Sequence, residues 1–501
     1  MKQDKVKNAL TIRNSLFVVI GKAMSSVLTF LLSIVIARLY GAHIMGLFFL
    51  AFTIFSILSM LARLGLDVGI VRFVAIYNSE KKYSHIKGAI LESSKIVFFL
   101  GLLVGFALYA LSSLLAEEIF HNKELTVFLK IFGLILPFFS VWGLLTEALR
   151  GLKAFLYLVI NQNILFPLGS LLSVLFAFHL RGRESLFLVS AYGFSVLFAG
   201  LFAGVYFVLK VFPQAKKVRS FSEMRKILKF SYPLIFVTLI SLAIYWVDTL
   251  MLGIMRTPED VAVYTSASKV SLFIVFFLVS IGTMTAPFFA EYLQQGRKNE
   301  LENLARTVAR WTFYGSFPVA LSFMFFSREI MDLFGTTFAP GSLPLVYLSI
   351  GQIINAATGL VGQILIIAEC QYVVARITLF SALLNIVLNL LFIPEWGIAG
   401  AAAATGLTIS IMNIAFAYAV YRIIGVKAYV DGLPRLVLIA IVPLALCIIC
   451  RAFLGPYVSG VIFLLSYVIA AVTWGLKEDD KKLLIALLQR MAPKRSSLHL
   501  P

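Results

Sequence analysis

Apolar runs of about twenty residues recur along almost the whole chain, and no soluble fold can bury that many. Fourteen stretches are long enough to cross a bilayer, which takes about 20 residues in a helix. They cover 15–37, 46–62, 88–114, 125–149, 155–179, 185–209, 230–254, 261–290, 306–327, 343–368, 372–393, 398–421, 434–453 and 455–475. None alternates with period two, as barrel strands do. In lipid only helices and closed barrels satisfy the backbone, so the spans are expected to be helices. Composition agrees: 60% of the 501 residues are apolar and 13% charged, against about a quarter charged in soluble domains. The expected fold class is all-α, a polytopic membrane protein of about 14 transmembrane helices.

The net charge of +19 would suit a nucleic-acid binder, but its distribution excludes one. With the N-terminus placed in the cytoplasm, 32 of the 43 Lys and Arg residues fall on the cytoplasmic side, eight on the opposite side and three within spans. That is the bias of the positive-inside rule. It predicts a multi-pass protein of the cell (cytoplasmic) membrane with both termini cytoplasmic, and basic loops meeting anionic lipid head groups. Three cysteines make no disulfide framework, and Cys447 and Cys450, spaced C-x-x-C, lack a second ligand pair. No metal site is expected. The N-terminal apolar run is too long for a cleaved signal peptide and ends in Ile36-Ala37-Arg38-Leu39 rather than a cleavage site. No phosphate loop or dinucleotide fingerprint occurs, since Gly21-Lys22 lacks the upstream glycine. With short loops and no carboxylate or histidine cluster, neither an enzyme nor a bound cofactor is expected.

The basic stretch from Lys210 to Lys229 divides the chain. The expected organisation is an N-terminal six-helix lobe at 1–212, a second at 213–426, and two extra helices with a tail at 427–501. The lobes look related: each leading helix runs to a glycine and short turn, then re-enters with a small-x-aromatic pattern, at Gly46-Leu47-Phe48 and at Ala262-Val263-Tyr264. Paired bundles around a midplane site are a recurring transporter design. Pro137, Pro167, Pro287, Pro318 and Pro443 are expected to kink their helices. Gly101/Gly105, Gly200/Gly204 and the run from Gly397 to Gly406 suit close helix contact.

Polar stripes on apolar helices must face protein or water. Lys22, Ser26, Thr29 and Ser33 share one face of the leading helix. Thr238, Ser241, Tyr245 and Asp248 share one face of its counterpart, and Thr265, Lys269, Ser280 and Thr283 mark the next helix. Thr53, Ser56 and Arg63 do so on the second. These stripes are expected to line a cavity between the lobes, although Ser and Thr also serve helix packing and Lys22 can snorkel toward a head group. Asp248 and Lys269, on adjacent helices, can form an ion pair. Gln352 and Asn355 can meet sugar hydroxyls or another helix. A cavity holding Lys22 and Lys269, with Arg38 or Arg63 at its mouths, would attract a phosphate or pyrophosphate.

The runs Ile36-Ala37-Arg38-Leu39-Tyr40-Gly41 with Gly46-Leu47-Phe48, Leu61-Ala62-Arg63-Leu64-Gly65-Leu66-Asp67, Val71-Arg72-Phe73, Val247-Asp248-Thr249-Leu250-Met251-Leu252-Gly253 and Ile393-Pro394-Glu395-Trp396-Gly397-Ile398-Ala399-Gly400 resemble the polysaccharide-transport (O-antigen and exopolysaccharide) flippases along nearly the whole chain. The resemblance implies two six-helix lobes around a V-shaped cavity that opens alternately to either side. It implies a polyprenyl-pyrophosphate-linked oligosaccharide as substrate, with Lys22 and Lys269 as the cationic cavity residues. The second helix lacks the central basic residue of the related lipid II flippases. The expected function is therefore translocation of a lipid-linked polysaccharide repeat unit. A cation-coupled multidrug exporter or a lipid II flippase of the same superfamily is the alternative, and the sign of the cavity charge discriminates between exporter and flippase. The candidate substrate-binding residues are Lys22, Ser26, Thr29, Arg38, Arg63, Tyr245, Asp248, Lys269, Gln352 and Asn355. The expected partners are membrane lipids and the glycan substrate, and no nucleic acid.

Overall fold

The computed structural model describes residues 2–215, 223–430 and 433–475. Every regular element among them is helical, and the chain is an all-α polytopic membrane protein. Eight of the described helices are long and apolar enough to cross a membrane. The number is nine if Pro258–Ser271 and Phe276–Gly282, bent by 46°, count as one span. This is fewer than the fourteen separate helices expected; the expected span 230–254 lies in the helix Met224–Met255, whose side chains 236–245 fall outside the described residues, and the other differences have local causes.

Three expected pairs run together. The spans 15–37 and 46–62 lie in one element, Lys2–Arg63, broken at Gly41 (φ 86°, ψ 170°). The spans 372–393 and 398–421 lie in Gln371–Ile424, broken at Gly397 (φ 57°, ψ −131°). The last two lie in Leu433–Ala470, broken at Gly455 (φ 76°, ψ 173°). Positive φ costs glycine little, so each break needs no loop. Elsewhere Gly359, at φ 67°, ends the helix Ser342–Thr358 inside the expected span 343–368. Arg306 and Arg310 dilute the apolar content of Lys298–Phe325.

The helices turn bulky apolar side chains outward. Phe99, Phe106, Phe176, Phe194 and Leu201 are each at least 65% exposed. On a soluble protein such a surface would be a large unexplained patch; here it is the lipid-facing side. Inside, one apolar cluster runs from Phe48, Phe55 and Phe132 to Leu252, Val261 and Leu345, and so joins both halves of the chain. Phe55 and Phe132 stack at 4.7 Å.

The two halves meet closely near Gly41. A Cβ on Gly46 would fall inside the Pro258 carbonyl, so the backbones touch there. His43 bonds Glu259 at 2.8 Å through Nδ1 and Glu124 at 3.1 Å through Nε2. Arg38 donates to the Leu333 carbonyl at 2.9 Å and the Asp332 carbonyl at 2.6 Å. Cationic donors near helix C-terminal carbonyls are favourable.

Candidate functional site

The leading helix and Pro258–Ser271 face each other across a chamber of about 410 Å³, lined by Lys22, Ser25, Ser26, Thr29, Asn163 and Lys269 among others. A second recess of about 310 Å³ opens from it, sharing Ser25, Thr29 and Lys269. Its wall is aromatic: Phe49, Phe52, Phe139, Trp142, Phe166 and Tyr192, with Gln162 as a polar exception. Lys269 stands at the junction. Its Nζ donates to Ser33 Oγ at 3.1 Å and lies 3.3 Å from the centroid of the Phe49 ring. A cation over an aromatic face is held by the ring quadrupole. Neither Lys22 nor Lys269 has a carboxylate partner among the described residues. Chemically, the chamber is a net-positive site with hydroxyls beside the charges.

The hydroxyls are already engaged. Ser26 bonds the Lys22 carbonyl at 3.0 Å and Thr29 the Ser25 carbonyl at 2.7 Å. Each can still accept, so they polarise the wall without being orphaned.

The ion pair open to Asp248 and Lys269 does not form. Asp248 is 1% exposed and accepts from Tyr264 Oη, from Thr405 Oγ1 and from Asn389 Nδ2, the last at 2.7 Å. Asn385 braces the group through Asn389 and Thr405, each at 3.2 Å. The Asn389 Oδ1 is buried without a hydrogen-bond partner among the described residues. One carboxylate amid neutral oxygens suits a proton or a hard monovalent cation rather than a soft transition metal. No cluster of three or more His, Cys, Asp or Glu side chains fit for a metal occurs among the described residues.

The other sequence candidates lie elsewhere. Arg38 is spent on the Asp332 and Leu333 carbonyls. Arg63 lies 3.8 Å from Asp67 and packs over Gly143. Asn355 donates to Gln352 at 3.0 Å, and neither lines the chamber or the recess. The side chain of Tyr245 falls outside the described residues.

The sequence reading missed a polar turn on the N-terminal side. Residues Val159–Leu165 form a π-helical segment that carries Asn161, Gln162 and Asn163 in succession. Pro167 follows, and it cannot donate to the carbonyl of residue 163, which favours the wider turn. Asn161 is structural: it accepts from Trp142 Nε1 at 2.7 Å and donates to the Ala199 carbonyl at 2.7 Å. Three successive amides inside an apolar span were the available signal.

A model of the polysaccharide biosynthesis protein family matches residues 11–293, more than half of the chain, and a MatE model matches 233–391. The probable low-salt glycan biosynthesis flippase Agl15 of Haloferax volcanii is 24% identical over 232 residues, 46% of this chain. The match spans about half (49%) of that relative's length. Among solved structures, lipid II flippase MurJ in an inward closed conformation aligns with a TM-score of 0.73 at 14% identity, covering 94% of this chain and 100% of that one. An inward-facing multidrug resistance transporter of the MATE family aligns with a TM-score of 0.66 at 16% identity, covering 80% and 94%. At these identities the likeness is one of fold.

Proposed function

Because this chain belongs to the polysaccharide biosynthesis protein family, within the multidrug/oligosaccharidyl-lipid/polysaccharide flippase superfamily, we propose that it is a transporter working by alternating access. Its cargo is a polyprenyl-pyrophosphate-linked glycan moved from the cytoplasmic to the outer leaflet. The observation that carries this reading is the placing of Lys22 and Lys269 on one chamber without carboxylate partners. Two like charges inside a membrane are costly, and a bound pyrophosphate offsets that cost by neutralising both.

On this reading the chain is two six-helix lobes, 1–212 and 213–426, with the chamber between them and the pair in 427–501 alongside. The breaks at Gly41, Gly397 and Gly455 are then the turns between paired spans. Basic loops orient both termini to the cytoplasm, and the Gly41 end becomes the outer end. The head group crosses through the polar chamber while the prenyl tail stays in lipid. The buried Asp248 group holds the proton or monovalent cation that drives the cycle.

Fold likeness to MurJ and to the MATE transporter supports the superfamily's mode of transport more firmly than the identity of the glycan. The second reading is a cation-coupled drug exporter or a lipid II flippase of the same superfamily: the aromatic recess favours the exporter and the two lysines oppose it, while the fold likeness to MurJ favours the lipid II flippase.

The test is to replace Lys22 and Lys269 by Ala and follow surface glycan and lipid-linked intermediates in cells lacking the native gene. Export is expected to fall at least tenfold in each variant, with the lipid-linked glycan accumulating and protein levels unchanged. Normal export by both variants would reject the assignment.

A further inference from the structure

The aromatic recess has no role in holding a pyrophosphate, and its architecture calls for one. Trp142 is fixed at its only polar atom by Asn161 and flanked by Phe166 at 4.4 Å and Phe139 at 5.5 Å between ring centroids. Phe166 in turn meets Tyr192 at 5.5 Å. The result is a rigid, apolar wall. Gln162 interrupts it, with no hydrogen-bond partner among the described residues. Asn163, one residue on, lines the larger chamber beside Lys22. Gly21 lets the leading helix close onto this turn, since a Cβ there would strike Val159 and lie 3.2 Å from the Asn163 amide.

We propose that the π-helical turn Val159–Leu165 and the aromatic recess form a sugar subsite, with Gln162 reading the hydroxyls of the first sugar next to the pyrophosphate. This deepens the function proposed above and rests on it. The chemistry of the two surfaces selects the occupant. A pyranose presents C–H-bearing faces that suit the negative face of an aromatic ring, and a rim of hydroxyls that both donate and accept. A primary amide offers both roles at once. A volume of about 310 Å³ lies at the low end of small-molecule sites, about 300–1,000 Å³, which suits one sugar rather than a repeat unit. Lys269 at the mouth places an anion directly beside it and repels a cationic drug. A prenyl tail gains nothing by leaving lipid for a recess with an amide in its wall.

The experiment uses the full-length protein in lipid nanodiscs and two kinds of probe. One is bare decaprenyl pyrophosphate. The others are the same lipid carrying a single glucose, mannose, galactose or N-acetylglucosamine. Wild type is expected to bind at least one glycosylated probe more tightly than the bare lipid. Gln162→Ala is expected to erase about tenfold of that preference while leaving bare-lipid affinity unchanged. Lys269→Ala weakens every probe. Absence of any sugar preference in wild type, or an equal effect of Gln162→Ala on bare and glycosylated probes, overturns the subsite. Bare-lipid affinity unmoved by Lys22→Ala and Lys269→Ala would instead overturn the pyrophosphate reading, whatever Gln162 does.

Discussion

Asp248 and Lys269 illustrate what a single position does and does not disclose. Their opposite charges and neighbouring helices make an ion pair reasonable, yet the carboxylate turns to Tyr264, Thr405 and Asn389 while the ammonium turns to Ser33 and Phe49. Helical periodicity fixes which face a residue shares, not which third helix covers it. A buried carboxylate losing one donor is left partly unsatisfied, at a cost of about 1–3 kcal/mol. Tyr264→Phe is therefore expected to lower stability by that amount in detergent-solubilised protein, measured by thermal unfolding. An unchanged midpoint would mean that the hydroxyl contributes nothing to the group. The co-location of Lys22 and Lys269 was legible because charge is rare in these spans and each lysine sits on a polar stripe. Gln162 and Asn163 were not picked out, because their exposure to the cavity depends on a π turn that a regular 100° periodicity misphases.

At the scale of helices, the gaps between three pairs of apolar spans in the sequence fall at or next to Gly41, Gly397 and Gly455, where the axis breaks. Hydropathy records which residues avoid water but not how tightly an axis folds back, and each of these breaks rests on one glycine. Small-residue pairs show the same divide. Gly105 lies directly against Gly133, where a Cβ on Gly133 would stand 2.7 Å from the Gly105 carbonyl oxygen. A Cβ on Gly351 would likewise stand 2.8 Å from the Gly406 backbone. Gly204, equally suggestive in sequence, has nothing within 4 Å of its added Cβ. Gly105→Ala is expected to force the Tyr83–Ala110 and Leu125–Gly151 helices apart and cost about 1–3 kcal/mol. Gly204→Ala should be neutral or stabilising by up to about 1 kcal/mol, from helix propensity alone. Thermal unfolding of both variants side by side checks the contrast, and equal losses would refute it.

Across the whole molecule, the direct hydrogen bonds joining the halves near Gly41 were not legible, since they pair side chains with groups more than two hundred positions away, as His43 with Glu259 and Arg38 with Leu333. His43, two residues past the break at Gly41 and between the expected spans 15–37 and 46–62, reaches Glu259, 216 positions away, and Glu124, 81 positions away. Burial alone lowers its pKa, but the hydrogen bonds to Glu259 and Glu124 outweigh burial and lift it above the ordinary 6.5. Arg38 on its own helix, Lys123 beside Glu124 and Asp260 beside Glu259 are the charged residues nearest in sequence to the three. A raised pKa means that the clasp contributes fully below about pH 6.5 and loosens as pH climbs through the raised value. Hydrogen–deuterium exchange at 41–46 and 257–260, corrected for intrinsic rates, should therefore quicken on going from pH 6 to pH 9, and His43→Gln should flatten that dependence. A wild type indifferent to pH over this range would remove the clasp's role. Lys269 has a wider consequence, because one ammonium is a party wall between two rooms. On the subsite proposed above, a carrier that grips its load at the joint of anion and first sugar has no ruler for what trails beyond, and long and short chains are shipped alike.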